Sequence, residues 1–230
     1  MKKKKLVVLS GAGISAESGL RTFRDSDGLW EGYDIEDVAT PGAWKKNPQL
    51  VLDFYNYRRR DVAKAQPNIA HFGLSELENN FDVTVITQNI DDLHERAGSS
   101  KVIHLHGEIF RMCSERERSI VAEIRDDIRL GHMAADGHQY RPDIVWFEEP
   151  VPMMEEAAVV ASKADIFVVI GTSLQVYPAA GLVHFAPAES IKFIIDRRIP
   201  YAVNSAHFRF IEKPATEGIE DLKRSLLEFL

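Results

Sequence analysis

Four short, nearly unbroken apolar runs divide the chain, at positions 6–10, 83–87, 164–170 and 191–196. Continuous rather than alternating hydrophobicity is the signature of strands covered on both faces, as in a parallel sheet. The run Ile166, Phe167, Val168, Val169 and Ile170 is the clearest of them. Helical patterns lie between the runs. Over 47–65, Asn47 supplies a cap and Pro48 takes the first helical position. Over 68–79, Leu74 and Leu77 line up beside Ile69 and Ala70, and near the C-terminus Ile219, Leu222, Leu226 and Phe229 recur at helical spacing. Strands alternating with helices predict an α/β fold: a mostly parallel sheet with helices on both faces and ligands at the carboxyl ends of the strands. Residues 113–141 break the pattern. They are dense in charge (Glu115, Arg116, Glu117, Arg118, Arg125, Asp126, Asp127, Arg129) and show no strong strand. The expectation is one domain over 1–230 with a small subdomain inserted at about 111–142.

Composition narrows the partners. The 230 residues are 45% hydrophobic and 27% charged, which suits a chain that buries a real core. A net charge of −7 without a long basic stripe argues against a nucleic-acid binder and suits cationic, lysine-bearing partners. The basic run at 2–5 precedes only a few apolar residues before Ser10-Gly11, too few for a signal core or a membrane span. The single cysteine, Cys113, allows no intramolecular disulfide. A reducing, cytoplasmic setting without membrane association is the expectation.

Four motifs carry chemistry. Gly11-Ala12-Gly13-Ile14-Ser15-Ala16 follows a strand and fits the dinucleotide fingerprint of a Rossmann-like sheet, with Ala16 in the last small position. The plainer alternative is a tight strand-to-helix turn. The polar stretch that follows, from Glu17 through Arg24 and Asp25 to Trp30, reads as a lid over a ligand or as a surface loop. Thr87-Gln88-Asn89-Ile90-Asp91 ends a strand where ligands sit; its side chains suit an amide and a ribose, or merely end the strand in a turn. His104-Leu105-His106-Gly107 offers a general base with open access, or a satisfied structural histidine. Gly171-Thr172-Ser173 leaves the most buried strand and suits a phosphate or ribose, or a simple turn.

Taken in order, the segments GAGISAESGLRTFR, TQNIDDLHERAG, VIHLHG and GTSLQVYPAAG resemble the sirtuins, over residues 6 to about 178. The resemblance implies an NAD-dependent enzyme that removes acyl groups from protein lysines, giving nicotinamide, deacylated lysine and O-acyl-ADP-ribose. In that chemistry the acyl oxygen attacks the ribose carbon that carries nicotinamide, and a histidine activates a ribose hydroxyl to attack the resulting imidate. Carried onto this sequence, His106 is the base and Asn89 a second catalytic residue, while His104 is structural. Asn89 and Asp91 hold the nicotinamide end. Gly11, Ala12, Gly13, Arg24 and Trp30 hold the pyrophosphate and ribose, and Gly171, Thr172 and Ser173 the adenosine side. Ser15, Glu17, Gln88, Ile90 and Asp196 complete the cofactor-binding set. The acylated peptide lies along Val145, Phe147 and Val176, bound through its main chain. Where the family usually has glycine after the phenylalanine, this chain has Glu148, which crowds or recharges the peptide channel.

Two departures sharpen the expectation. Tyr55 and Arg58, three apart on the predicted helix, share a face, as in members that prefer succinyl- or malonyl-lysine, and Ala39 fits the small residue that widens their acyl pocket. The alternative is a basic helix face, because Arg59 and Arg60 follow. The family's four zinc-binding cysteines are reduced to Cys113, and neither His132 nor His138 makes up a four-ligand set. No bound metal is expected, and a helix over 115–131 is expected to pack in its place. Two rivals use the same NAD site: a mono-ADP-ribosyltransferase and a catalytically weak NAD-binding scaffold. The intact Asn89, Asp91 and His106 set argues against the scaffold.

Overall fold

The structure is a computed structural model that describes residues 2–21, 29–30, 33–199 and 208–230. Among these, the predicted apolar runs become strands β1 (Lys5–Ser10), β4 (Asp82–Thr87), β9 (Ile166–Ile170) and β10 (Ile191–Ile195). With β5 (Val102–His104) and β11 (Phe208–Ile211) they form a six-stranded, all-parallel sheet in the order β11-β10-β9-β1-β4-β5. The chain first builds outward from β1 to β4 and β5, then returns to the other side of β1 at β9. The order therefore reverses between β1 and β9, and their carboxyl ends open the crevice in which such sheets take ligands.

Each face of the sheet has its own core. On one, Leu6, Val8, Val83, Val85, Val168 and Phe193 pack under α5 (Ile69–Glu76) and α8 (Ala215–Leu226). On the other, Val7, Leu9, Phe167 and Val169 pack under α7 (Met154–Ala161) and the 3-10 turn Ala179–His184. The capping signals act as the sequence suggests. Asn47 Oδ1 accepts from Leu50 N–H at the start of α4 (Pro48–Lys64), and Asn68 Oδ1 accepts from Ala70 N–H at the start of α5. In the last helix Ile219, Leu222 and Leu226 are buried, and Phe229 packs beside them from a short 3-10 turn, Leu227–Phe229.

The charged region departs from expectation. It forms a three-stranded antiparallel sheet in the order β7-β6-β8, built from β6 (Gly107–Ser114), β7 (Val121–Glu123) and β8 (Tyr140–Ile144). No helix spans 115–131. Ile120, Ile124 and Ile128 do recur at helical spacing, but Val121–Glu123 pairs with β6 as a strand, so tertiary pairing overrides the local pattern. The Ser114 hydroxyl instead accepts from the Arg116 and Glu117 amides and turns the chain at the end of β6. This small sheet shares a third core with α2 (Ile35–Val38), α3 (Pro41–Lys46) and α4, containing Val38, Ala39, Trp44, Leu52, Tyr55, Ile109, Ile144 and Trp146. The alternative of a basic helix face on α4 fails, because Arg58 and Arg59 are both buried. Arg59 is buried, donating to the Ile109 and Asp126 carbonyls and to Asn56 Oδ1, while Asn56 pairs with both main-chain groups of Ile128. These two polar side chains fasten the helix to the small sheet.

Candidate active site

The crevice is lined by bare backbone. Gly13 N–H donates to the Gly171 carbonyl at 2.8 Å, and Gly11 N–H to the Ile170 carbonyl. A Cβ on Gly11 would sit 2.6 Å from Thr172 Cβ, and one on Gly13 would sit 2.8 Å from Gly171 Cα. Gly171 itself has φ +63. Side chains at these positions would wedge β1 and β9 apart, so the glycines are needed for the fold as well as for ligand approach. Ala12 is exposed at the first turn of α1 (Ala12–Ala16).

Gln88, Asn89, Ile90 and Asp91 follow β4 at the same carboxyl end of the sheet, and Ile90 packs against the third core. Gln88 Nε2 donates to Thr172 Oγ1 at 3.1 Å, joining the two motifs across the switch point. Asn89, buried, donates to the Gly11 carbonyl and to Ser15 Oγ at 3.0 Å. Ser15 also hydrogen-bonds Asp91, so one hydroxyl links both residues. Burial raises the Asp91 pKa, against the Leu93 amide and Ser15, which favour its charge. Ile90 contributes its carbonyl, which accepts from Ile109 and ties the crevice to the small sheet. Glu17 Oε2 accepts from Thr216, whereas its Oε1 is buried with no hydrogen-bond partner among the described residues. Ser173 is half-buried, and Asp196 follows β10, where its carboxylate accepts from Arg198 N–H. Arg24 lies outside the described residues, and of Trp30 only the backbone, in the two-residue strand β2 (Leu29–Trp30), is described.

The two histidines differ in kind. His104 points one ring nitrogen at the Asn89 carbonyl and the other at Glu95 Oε1, 2.7 Å away. Both partners are acceptors. Burial opposes the charge on His104, but Glu95 outweighs it and the pKa rises. His104, held between two acceptors, is thus a strut rather than a base. Among the described residues His106 has one hydrogen-bond partner, the Gln88 carbonyl at 3.0 Å from Nδ1. A carbonyl only accepts, so Nδ1 carries the proton and the Nε2 lone pair is available. Burial lowers the His106 pKa, and the bond to Gln88 only partly offsets this. The base form therefore persists to more acid pH than in a free histidine. The acid limb of the kcat/KM profile is expected below the ordinary histidine pKa of about 6.5. An acid limb centred above pH 7 contradicts this assignment.

The segment after β8 runs between His106 and the third core. Val145 N–H donates to the His106 carbonyl and Phe147 N–H to the Ala39 carbonyl. Gly107, at φ +83, brings the chain so close that a Cβ would fall 2.0 Å from the Asp143 carbonyl oxygen. Phe147 is half exposed, and Val176 is half-buried in the loop after Gly171. Glu148 stands at φ 71, which accounts for the glycine the family favours there. Holding an L-residue in this region costs roughly 1–2 kcal/mol. Its side chain is exposed.

Ala39, Tyr55 and Arg58 lie on the small-sheet side of this segment, all buried. Tyr55 packs edge-on against Phe54 and lies 6.5 Å from the Trp146 ring. Burial pushes the Tyr55 phenol well above its ordinary value, against the pull of Trp146, Arg141 and Arg58, so its hydroxyl stays protonated. Tyr55 and Arg58, three apart on α4, share a face of that helix. Cys113 is buried with its thiol pushed up to about 12, chiefly by burial. Among the described residues no group of three or more His, Cys, Asp or Glu is arranged to hold a metal ion, and no helix is long and apolar enough to cross a membrane.

A Rossmann-like sheet with a glycine-lined crevice at its switch point, a small lobe and a histidine between them defines an NAD-binding class of two-lobed protein. Residues 11–178 match the Sir2 family, and the chain belongs to it. It is 52% identical over 225 residues to an NAD-dependent protein deacylase of Helicobacter pylori, covering 98% of each chain. It is 50% identical over 230 residues to an NAD-dependent protein deacylase of Bacteroides thetaiotaomicron, covering 97% of this chain and 98% of that one. A solved complex of a Sir2 homologue with NAD superposes with a TM-score of 0.87 at 36% identity, covering 98% of this chain and 90% of the other.

Sequence reasoning missed Arg59 and Asn56 as buried ties. The signal was present: Leu52, Tyr55, Arg59 and Val62 follow the 3–4–3 spacing of one buried stripe.

Proposed function

We propose that this enzyme removes acyl groups from protein lysines in an NAD-dependent reaction, and that its acyl pocket selects succinyl- or malonyl-lysine. NAD-dependent protein deacylation is the activity for which its relatives are named. Bound NAD supplies the electrophilic ribose carbon and the hydroxyl that takes over the acyl group. The bare turns at Gly11–Gly13 and Gly171–Ser173 fit its pyrophosphate and ribose. The unpartnered Glu17 Oε1 fits a ribose hydroxyl donor, as does the Asp196 carboxylate after β10. Asn89 and Asp91, locked through Ser15, orient the nicotinamide end with Gln88 and Ile90. His106 Nε2 takes a proton from a ribose hydroxyl, with Nδ1–H held by the Gln88 carbonyl. With one water consumed, the products are nicotinamide, free lysine and O-acyl-ADP-ribose.

One observation carries the acyl preference. Tyr55 and Arg58, three apart on α4, are both buried, and Tyr55 lies in the core that also holds Ala39 and Trp146. A protonated phenol and a guanidinium can both donate to a carboxylate, whereas a methyl group accepts from neither. Comparing succinyl- and acetyl-lysine peptides of one sequence, with NAD, tests this preference.

A further inference from the structure

The turn that follows β8 is held by charges that play no part in the chemistry above. Glu149, mostly buried, accepts at once from the Trp146 amide at 2.8 Å, from Arg141 Nη1 at 2.7 Å and Nη2 at 3.0 Å, and from Arg118 Nη1 at 3.3 Å. Arg141 is 4% exposed. Its Nη2 also donates to the Ile144 carbonyl at 2.8 Å, and its guanidinium lies 3.2 Å from the centre of the Trp146 ring. Arg118, from the turn after β6, adds bonds to Asp143 and to the Ile144 carbonyl. One carboxylate and two guanidinium groups therefore fix the main chain at 144 and 146 and one face of an indole. The intervening residues are tied from the opposite direction, Val145 to His106 and Phe147 to Ala39. The other aromatic neighbours of Trp146 are Trp44, at 5.7 Å between ring centres, and Tyr55.

A buried ion pair is weak evidence for stability, because desolvation offsets much of its attraction. Its geometric strength lies elsewhere: a two-pronged fork fixes angle as well as distance. Here the fork fixes the backbone against which the peptide would pair and the indole that packs beside Tyr55 and Trp44. Resting on the reading of 145–147 as the peptide-binding segment, we propose that Glu149 and Arg141 are positioning residues that hold this segment in register for the acyl-lysine chain, with Arg118 as an outer brace. They touch neither the NAD crevice nor His106 Nε2, so their effect falls on peptide binding.

The test uses the full chain, with NAD and one peptide carrying either acetyl- or succinyl-lysine. Glu149→Gln keeps the shape but frees the Arg141 fork. It is expected to raise the peptide KM about 10- to 100-fold, the penalty of a small misplacement in a bound chain. kcat and the KM for NAD should change by less than about twofold. Both peptides should suffer alike, because the clamp acts on main chain rather than on the acyl carboxylate. Arg118→Gln, at a half-exposed partner that leaves the buried pair intact, should raise the peptide KM by a smaller factor and covers the case in which Glu149→Gln does not fold. Wild-type nicotinamide release with these peptides tests the functional reading, and the ratio of variant to wild type tests the clamp. Wild-type protein that releases nicotinamide with neither peptide overturns both. Normal wild-type turnover with peptide KM unchanged in the folded variants overturns the clamp alone, even if the variants melt earlier, as does a parallel loss in kcat and both KM values.

Discussion

His106→Tyr is expected to abolish deacylation while leaving a folded protein. His106 is only half-buried, and its main chain, not its ring, anchors Val145. Losing the bond from Nδ1 to the Gln88 carbonyl costs about 0.5–1.5 kcal/mol of stability. The loss in rate is far larger, because a phenol, with a pKa of about 10, is no base at neutral pH. A positioned general base contributes about 10²–10⁴-fold. Nicotinamide release and thermal melting on the same preparation separate the two effects. Near-normal turnover by the variant would remove His106 from the mechanism, and a collapsed melting temperature would make it structural instead.

Arg58→Met carries the second large effect. Methionine keeps much of the buried volume of the arginine stem on α4 but donates no hydrogen bond. A charge-assisted bond to a carboxylate is worth roughly 1.5–3 kcal/mol. The specificity constant for succinyl-lysine should therefore fall about 10–150-fold, mostly through KM. Acetyl-lysine, with no distal carboxylate, should change little. Equal losses on both substrates would make Arg58 a structural arginine like its neighbour Arg59. Burial lowers the Arg59 pKa to about 10, and its bonds go to the Ile109 and Asp126 carbonyls and to Asn56 rather than to a pocket.

The contrast between these adjacent arginines shows where sequence reading works on this chain. Parallel strands covered on both faces are written as unbroken apolar runs, and β1, β4, β9 and β10 follow them within two residues at either end. Caps are local, so Asn47 and Asn68 are readable too. The three-stranded sheet was not. β7 is only Val121–Glu123, too short to stand out as an apolar run, and its stability comes from pairing with β6. Glu148 was legible as a departure from a glycine, but only the backbone angle of 71° gives the reason. The chemistry at the crevice was nearly all legible as residue types, because Gln88, Asn89 and Asp91 sit within four positions at one strand end. What no spacing reveals is the wiring: Ser15 joining Asn89 to Asp91, and Gln88 Nε2 meeting Thr172 across the switch point while its carbonyl fixes the His106 tautomer.

The most direct measurement is nicotinamide release in the presence of NAD and four peptides of identical sequence, bearing unmodified, acetyl-, malonyl- or succinyl-lysine. Release should require an acylated peptide, and kcat/KM should be highest for the two acyl groups that end in a carboxylate. Release that does not depend on the acylated lysine would contradict the deacylase reading, and an acetyl-lysine peptide turned over as well as or better than the acidic ones would contradict the assignment of Tyr55 and Arg58 to the acyl pocket.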